Sequence, residues 1–371
     1  MAGRQLTALA HVAVVGAGPA GSAAALTLRR HLPHLQVALL DRGPARRAGG
    51  FEVPGEALSP GVLPLLDYLG LRQAFEQAGH LRVGGTASAW GSEQALQRHY
   101  LFSGRGEGWH VDRARFDGWL RQQAESAGAV SLSARVTDLA RQDERWSLRL
   151  EGPGPTALRA DCVIDATGRA AGIARRCGAA IQRHDTLTAL AGWYEHDSVE
   201  RSTTGALVEA TPDGWWYSAA LPDRRGVAMF MTAADQLKGS AVARQARWHA
   251  ALAAAPLTAA RMSNWRARGP TVVRAANSQC TSQVAGPGWV AAGDAAAAFD
   301  PLASLGIGFA LRSGMEAARA AAGALDRDAA PAQAYAESLR RIYADYRQRL
   351  KHVYALERRW PDAPFWAGAR R

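Results

Sequence analysis

The first strong pattern along the chain is a short apolar strand that runs into a glycine turn and then a helix. Residues 12–15 are all apolar, as in a strand that is buried on both faces. Small and aliphatic residues over 18–30 predict a helix, and a second apolar run over 36–40 ends in Asp41. The order strand, helix, strand predicts a βαβ unit with two parallel strands.

The next part of the chain mixes helical periodicity with short alternating runs. Its predicted elements are a Gly- and Pro-rich loop with a helix start over 43–64, a helix over 65–78, short strands over 80–110, a helix over 111–127, a strand and a hairpin over 129–150, and a strand over 160–165. That last strand is followed by the turn 166–169. Strands and helices of the kind found in nucleotide-binding domains therefore continue past the first βαβ unit.

The second half of the chain begins with strand-like alternation and ends in long helices. Its predicted elements are alternating strands over 185–285 with a helix near 234–254, a strand over 288–292, and helices over 306–322 and 331–357. The pattern predicts an α/β fold in which a β-sheet domain is inserted into a nucleotide domain. We expect the nucleotide domain to be 1–80, 111–180 and 286–330, the sheet domain 81–110 and 181–285, and the C-terminal helix and aromatic tail 331–371.

Composition narrows the possible classes of protein. The 371 residues are 48% hydrophobic and 21% charged, and no window of 18 residues is both apolar and uncharged, so no membrane span is expected. Three scattered cysteines lack metal-ligand spacing, which predicts no metal site and a cytoplasmic location. The net charge is +11, but only two residues are lysine and no basic block suggests nucleic acid.

The glycine turn after the first strand has the spacing of a dinucleotide-binding loop. Gly16 allows a tight turn, Gly18 lets a diphosphate approach the backbone, and Gly21 permits close packing of helix and strand. Helix N–H groups and the helix dipole stabilise the anion. Asp41 ends the second strand, where an acid binds ribose hydroxyls. We predict these cofactor contacts in the segment: Gly16, Ala17, Gly18, Pro19, Ala20, Gly21, Asp41 and Arg42.

A second motif, VAAGDAAAAFDPLASLGIG over 290–308, has the residue types needed to hold a ribityl chain and a flavin ring. A carboxylate after a strand and a glycine, here Gly293 and Asp294, accepts a hydroxyl proton. The following loop enters a helix, whose N-terminus stabilises negative charge on a reduced flavin. Together the two motifs predict an FAD enzyme, with further contacts from Pro301, Gly306 and Ile307.

A third candidate is Arg113, three residues before Phe116. In a helix both residues share one face, which leaves Arg113 free to reach a cofactor while Phe116 enters the core. A surface arginine is the alternative.

Four segments in order resemble the FAD monooxygenases of the p-hydroxybenzoate hydroxylase fold, which bind FAD in a glutathione-reductase-like Rossmann domain. They are GAGPAG (16–21), VDRARFD (111–117), DATGR (165–169) and GDAA…DP…SLGIG. The resemblance implies that Val136 lies along the adenine side of FAD and that Thr167 and Gly168 contact the cofactor. DATGR differs from the Asp-Gly form of many aromatic hydroxylases.

Within that superfamily, Gly55-Glu56, Asp300-Pro301 and the terminal RWPDAPFW (359–366) resemble the tryptophan halogenases. Halogenases use a lysine some thirty residues after the Gly-Glu pair, and this chain has no lysine before Lys238. They also have a glutamate before the loop serine, where this chain has Ala303. These differences reduce the case for halogenation.

SAWGS (88–92), GWHVDRARFD (108–117), DGWWY (213–217) and the final Phe-Trp are most similar to the LodB/GoxB-like flavoproteins. That resemblance implies hydroxylation of a tryptophan of a quinone-cofactor oxidase precursor. It also implies O2, NAD(P)H as reductant, and a flavin C4a-hydroperoxide as the oxygenating species.

The same resemblance places Glu56 near the flavin ring, and Glu56 and Ser304 are the catalytic candidates. A helix cap or an arginine partner is the alternative for Glu56, and a plain turn residue for Ser304. Trp215 and Tyr217 share one face of an alternating strand and are predicted to wall a substrate pocket, although one face of that strand is core.

Other functions remain open at this stage. The alternatives are a small-molecule hydroxylase or halogenase, an isoprenoid reductase, and a non-catalytic maturation escort that keeps FAD for structure. Phe365 and Trp366 are expected to pack back onto the fold, and the other possibility is that the basic C-terminal segment docks a partner protein.

Overall fold

The structure is a computed structural model that describes residues 7–42, 54–103, 106–196 and 205–369. Its strands are β1 (Thr7–Val15), β2 (Val37–Asp41), β3 (Ala57–Leu58), β4 (Leu81–Val83), β5 (Gly85–Ala89), β6 (Leu96–His99), β7 (Gly108–His110), β8 (Val130–Ser133), β9 (Arg135–Gln142), β10 (Arg145–Glu151), β11 (Ala157–Asp165), β12 (Ile181–Arg183), β13 (Leu187–His196), β14 (Ala206–Thr211), β15 (Gly214–Leu221), β16 (Arg225–Ala233), β17 (Trp265–Ala267), β18 (Val272–Ala275), β19 (Gln279–Thr281), β20 (Ala285–Gly286), β21 (Trp289–Ala291) and β22 (Ala297–Ala298). Its α-helices are α1 (Pro19–His31), α2 (Leu63–Tyr68), α3 (Arg72–Gln77), α4 (Arg113–Ser126), α5 (Gly172–Arg176), α6 (Ala241–Ala253), α7 (Pro256–Arg261), α8 (Gly306–Leu325), α9 (Ala330–Leu356) and α10 (Pro364–Ala369).

The first sheet is built around parallel strands in the order β8-β2-β1-β11-β21. The centre of β1, residues 12–14, has no exposed surface, as expected of a parallel strand covered on both faces. The hairpin of β9 and β10 joins antiparallel to β11, and β20 pairs antiparallel with β21. The predicted βαβ unit of β1, α1 and β2 is confirmed.

Small residues let α1 pack closely against α8 and against the segment that follows β21. A Cβ on Gly314 of α8 would lie 2.2 Å from the Ala20 carbonyl oxygen, so the two helix backbones are nearly in contact. A Cβ on Gly293 would lie 2.8 Å from the Ala20 Cβ. This packing brings the segment after β21 to the first turn of α1.

The second sheet is mostly antiparallel, in the order β17-β13-β16-β15-β14-β5-β6, and β18 also pairs with β13. Alternation on β15 sends Trp215 into the main core, while Trp216 enters a separate cluster with Phe230 and Trp248 of α6. The sequence prediction that 215 and 217 share one face is therefore confirmed, since Tyr217 also packs on the main core.

Two three-stranded sheets join the large ones, and they refine the expected domain bounds. β4 and β7, expected in the substrate sheet, pair instead with each other and with β3 in the order β3-β7-β4. The other small sheet, β12-β19-β22, combines strands from the expected substrate and nucleotide segments. Short strands therefore pair across the expected bounds, and the division into two domains stays a prediction.

The C-terminal segment packs onto the rest of the molecule. Its long helix α9 buries an aromatic and aliphatic stripe at helical spacing: Tyr335, Leu339, Tyr343, Tyr346, Leu350 and Tyr354. Trp366 has no exposed surface and donates its Nε1–H to the Thr211 carbonyl oxygen at 2.9 Å, and Phe365 is also buried. The expectation that the aromatic tail packs back is confirmed.

Some predicted elements differ from the structure. The helix expected over 65–78 is two helices, α2 and α3, because Gly70 adopts a φ of +60° between them. The helix expected near 234–254 is preceded by a separate short 3-10 helix, Ala234–Leu237. Half of the loop expected over 43–64, residues 43–53, lies outside the described residues. Among the described helices, none has the length and apolarity to cross a membrane.

Candidate functional site

The turn between β1 and α1 has a backbone shape that fixes two of its glycines and leaves the third open. Gly16 has a φ of +110°, and a Cβ there would lie 2.2 Å from the Ala166 carbonyl oxygen. A Cβ on Gly21 would lie 1.8 Å from the Gly16 carbonyl oxygen, whereas one on Gly18 meets nothing within 4 Å. Gly18 is therefore open toward the solvent side of the turn, at the N-terminus of α1.

A cleft of about 710 Å³ lies at this helix N-terminus. Eight of the predicted cofactor residues line it: Gly16, Ala17, Gly18, Asp41, Arg42, Val136, Thr167 and Gly168. Arg135, Arg175 and Arg176 add positive charge at the same cleft. A concave site with backbone N–H groups and arginines suits an anionic dinucleotide.

The turn after β11 is held by Asp165, whose role the sequence reasoning missed. Its buried carboxylate accepts hydrogen bonds from the Thr167 N–H (2.9 Å) and hydroxyl (2.6 Å). It also accepts from the backbone N–H groups of Ile173 (2.9 Å) and Ala174 (2.7 Å) in α5. The signal in the sequence that points to this role is an acidic residue that ends a buried strand directly before Ala-Thr-Gly. Asp165 shapes the wall of the cleft that Thr167 and Gly168 form.

Asp294 lies in a short 3-10 helix after β21, and its neighbour Gly293 packs against the first turn of α1. Burial raises the pKa of this carboxyl, and the charges of Arg169 and Arg113 oppose that shift. Arg169 is itself held by Asn277, since Nη2 donates to both the backbone and side-chain oxygens of that residue. Asp294 is therefore within electrostatic range of two cations, of which only Arg113 was predicted from the sequence.

Arg113 begins α4, and its guanidinium already has protein partners. Nε and Nη2 donate to the two carboxylate oxygens of Asp117, each at 3.0 Å. Nη1 donates to the carbonyl oxygens of Pro54 (2.9 Å) and Gly55 (3.2 Å). The expectation of a free side chain is therefore wrong: Arg113 clamps the segment that carries Glu56. Its contact with a cofactor stays a prediction.

Arg113 is within electrostatic range of both Glu56 and Asp294. Burial alone would lower the pKa of Arg113, but Asp117, Glu56 and Asp294 outweigh that effect and raise it. The segments that carry Glu56 and Asp294 therefore approach the N-terminus of α4. The first turn of α8 packs beside Val62, six residues after Glu56, since a Cβ on Gly308 would lie 3.3 Å from its side chain.

Glu56 is buried, with 2% of its surface exposed, and its Oε1 accepts from the Gly55 N–H at 3.0 Å. Tyr217 of β15 lies within electrostatic range of it. Burial, and then the negative charge of Glu56, raise the pKa of the Tyr217 phenol well above its usual value. The charge of Arg261 opposes this shift in the pKa of Tyr217, and Tyr100 adds to it. The predicted catalytic residue and one predicted substrate-pocket residue are thus neighbours.

Trp215, the other predicted substrate-pocket residue, lies deeper. Its side chain has no exposed surface, and Nε1 donates to the Tyr354 hydroxyl of α9 at 3.0 Å. It also packs edge-on against Trp90, with ring centroids 6.3 Å apart. In this structure Trp215 is a core residue, because α9 covers the end of β15 that carries it, and the substrate-wall prediction now falls on Tyr217.

The loop 300–306, which we call the flavin loop, connects β22 to α8. Ser304 lies exposed on it in a left-handed conformation, with φ 50° and ψ 34°, and its backbone N–H donates to the Pro301 carbonyl oxygen at 3.0 Å. Gly306 and Ile307 begin α8, and a Cβ on Gly306 would meet nothing within 4 Å. Of the two catalytic candidates, Glu56 is thus buried and Ser304 exposed on a separate segment.

The residues present fit FAD. Gly18 leaves open space at a helix N-terminus, the cleft has the size and charge for the adenine and diphosphate end, and Asp294 offers a half-buried carboxylate near the first turn of α1. Residues 95–371 match the tryptophan halogenase family.

The chain belongs to the tryptophan halogenase family. Members of that family are FAD-dependent, and the chain is accordingly a flavoprotein oxidoreductase. It is 30% identical over 361 residues to the putative FAD-dependent oxidoreductase LodB of Marinomonas mediterranea, with 95% of each chain covered. The likeness to LodB-type flavoproteins expected from the sequence is thereby confirmed.

Solved structures agree on the fold. The myxobacterial chondrochloren halogenase CndH superimposes with a TM-score of 0.86 at 22% identity, covering 98% of this chain and 86% of that one. The peptidyl tryptophan dihydroxylase QhpG, described as essential for tryptophylquinone cofactor biogenesis, superimposes with a TM-score of 0.77. It is 27% identical, with 98% of this chain and 79% of that one covered. The expected Rossmann FAD fold is confirmed.

Proposed function

We propose that this flavoprotein hydroxylates a tryptophan side chain of a partner oxidase precursor during maturation of a tryptophylquinone cofactor. Two relatives support the proposal. LodB shares 30% identity over nearly the whole length of both chains, and QhpG is a peptidyl tryptophan dihydroxylase of the same fold. The alternative within the family is halogenation.

The observation that favours hydroxylation over halogenation is the position of the two lysines, both of which are exposed. The halogenases that this chain resembles use a lysine to direct hypohalous acid onto the ring. The two lysines of this sequence, Lys238 and Lys351, are both exposed, one after a 3-10 helix that follows β16 and the other on α9. Glu56 instead has Arg113 and Tyr217 as its charged and polar neighbours.

FAD, when bound, supplies the activation of O2. We expect the diphosphate at Gly16–Gly21 and the N-terminus of α1, the adenosine along Asp41, Arg42 and Val136, and the ribityl chain at Asp294. The flavin loop and the first turn of α8 offer backbone N–H groups to the ring end of the cofactor.

The overall reaction balances with one O2 for each hydroxyl group added. One oxygen atom enters a C–H bond of the indole ring, and the other leaves as water. NAD(P)H is our proposed source of the two electrons, and it supplies one of the two protons needed, with solvent supplying the other. The hydroxylated ring carbon must then lose its hydrogen as a proton, so the site requires a base.

Glu56 is the base that we propose for this proton. A carboxylate that is 2% exposed is shielded from bulk water, and Tyr217 beside it can orient the ring or the carboxylate. Arg113 holds the backbone on the N-terminal side of Glu56 through the Pro54 and Gly55 carbonyl oxygens, which limits movement of the base.

The test uses purified protein, FAD, NAD(P)H, air, and either the oxidase precursor or a tryptophan-containing peptide cut from it, with bromide present in excess. Mass spectrometry reads the modified tryptophan. We expect added oxygen and no bromine. Bromine on the ring would establish halogenation instead, and product formed only from free indoles or phenols would indicate a small-molecule substrate.

A variant with Glu56→Gln is the matched control for the chemistry. It keeps the side-chain oxygen that accepts from the Gly55 N–H but cannot take a ring proton. We expect this variant to bind as much FAD as the wild-type protein and to lose product formation. Full activity in this variant would remove Glu56 from the mechanism without affecting the choice of substrate.

A further inference from the structure

A continuous line of buried hydrogen bonds joins the substrate sheet to the flavin loop through the C-terminal helix. Trp215 of β15 donates from Nε1 to the Tyr354 hydroxyl (3.0 Å), and Tyr354 of α9 donates to Asp300 Oδ2 (2.7 Å). Asp300 is the first residue of the flavin loop, and its Oδ1 accepts from the Leu302 N–H at 2.8 Å. All three linked side chains are buried.

A second bond from the same helix fixes the backbone of the flavin loop. The Asp300 N–H donates to the Tyr346 hydroxyl at 2.8 Å, and Tyr346 shares a 2.7 Å hydrogen bond with the Ser278 hydroxyl. Two tyrosines, two helical turns apart on α9, therefore hold both the main chain and the side chain of Asp300. The left-handed backbone of Ser304, four residues later, is a conformation that non-glycine residues keep only when surrounding contacts impose it.

The same end of α9 is fastened to the substrate sheet. Trp90 Nε1 donates to the Val353 carbonyl oxygen at 2.8 Å, and the Gly91 N–H donates to Glu357 Oε2 at 2.7 Å. Val353 and Glu357 lie on either side of Tyr354 in sequence, so these two bonds fix the backbone that carries its hydroxyl. The hydroxyl can donate one proton, to Asp300, and accept one, from Trp215, and both capacities are filled.

Strand β15 is therefore in contact with both sides of the candidate site. Tyr217 faces Glu56, and two residues earlier on the same face Trp215 reaches the flavin loop by way of Tyr354. We propose that Tyr354 is a positioning residue that sets the flavin loop relative to β15, so that the C-terminal helix is a working part of the flavin site. The inference rests on the proposed flavin site at this loop.

The test compares Tyr354→Phe with Tyr343→Phe in the FAD-loaded full-length protein. Tyr343 is on the same helix and its buried hydroxyl makes no hydrogen bond within the described structure, so its loss is a matched control. Two properties of the flavin are measured without any protein substrate. They are the visible circular dichroism of bound FAD, and the rate of peroxide release when the dithionite-reduced protein meets air.

We expect Tyr354→Phe to retain FAD, to change the flavin dichroism, and to release peroxide on the order of tenfold faster than Tyr343→Phe, because small displacements at a reacting centre change rates on this scale. Two phenylalanine variants with the same flavin dichroism and peroxide rate would overturn the proposal. If Tyr354→Phe does not fold, Asp300→Asn decides. Asparagine has an NH2 donor in place of one of the two accepting oxygens, so the bonds from Leu302 and Tyr354 cannot both be kept. Asp300→Asn must therefore reproduce the altered flavin signature, and a wild-type signature refutes the inference.

These readouts separate this inference from the proposed function. A flavin signature that changes in Tyr354→Phe supports the positioning role even if the partner tryptophan is never oxygenated. Oxygenation of the partner with an unchanged flavin signature in Tyr354→Phe supports the function and rejects the positioning role.

Discussion

Replacing Gly18 by alanine separates cofactor binding from folding. An ideal Cβ on Gly18 meets no atom within 4 Å, whereas a Cβ on Gly16 would lie 2.2 Å from the Ala166 carbonyl oxygen. The new methyl group in Gly18→Ala therefore occupies only the space that we assign to the FAD diphosphate. We expect Gly18→Ala to fold but to lose FAD. We expect Gly16→Ala to be less stable than the wild-type protein even without FAD.

The magnitudes of the two changes are far apart. Gly18 precedes α1 with an extended backbone, so alanine is allowed there, and the poorer helix cap costs about 1 kcal/mol. Gly16 has a φ of +110°, and strained backbone with overpacking costs about 2–5 kcal/mol. For FAD, a methyl group that keeps the diphosphate from the helix N–H groups lowers affinity by at least about tenfold, or about 1.4 kcal/mol.

The assay measures the ratio of flavin to protein absorbance after purification, titration of apoprotein with FAD, and urea unfolding of each apoprotein. Gly118→Ala in α4 is the control, because its Cβ also meets nothing within 4 Å and lies in a helix. It should keep FAD and gain up to about 1 kcal/mol of stability. Wild-type FAD content in Gly18→Ala would refute the assignment of the diphosphate to this turn.

Three further predictions follow from buried groups. Glu56→Gln should keep FAD and lower the rate of tryptophan oxygenation by about 10²–10⁴, measured by product mass, whereas an unchanged rate means that Glu56 is structural. Burial raises the pKa of Asp300 from 3.8 to about 7, so its contribution to stability is complete below about pH 4 and is lost as pH rises through 7. Urea unfolding across that pH range should show a flatter profile for Asp300→Asn, and parallel profiles would contradict this. Trp366→Ala should cost about 3–5 kcal/mol in urea unfolding, and a loss below about 1 kcal/mol would mean that the tail is not docked.

The nucleotide half of the fold is readable from sequence because its signals are local. The apolar run of β1, the three glycine positions and Asp41 all lie within about one βαβ unit, and Gly16 and Gly21 are each fixed by a backbone requirement. The same holds for Asp294 and the start of α8. Gly293, next to Asp294, packs against Ala20 in the first turn of α1, and the cofactor contacts of these residues stay predictions.

Partner choice across long sequence separations could not be predicted. Nothing near Arg113 in sequence indicates that the Pro54 and Gly55 carbonyl oxygens occupy its guanidinium. The hydroxyl of Tyr354 bonds a carboxylate 54 residues earlier and an indole 139 residues earlier. Helical spacing showed that α9 has a buried stripe, but only the three-dimensional packing shows which of its tyrosines bind the flavin loop.

The most direct test of the central claim is the intact mass of a candidate oxidase precursor after reaction with this protein, NAD(P)H and isotopically heavy O2. The account predicts heavy oxygen on one tryptophan, absent when Gly18→Ala replaces the wild-type protein. A precursor of unchanged mass, with FAD bound and reduced, would contradict the claim that a protein tryptophan is the substrate.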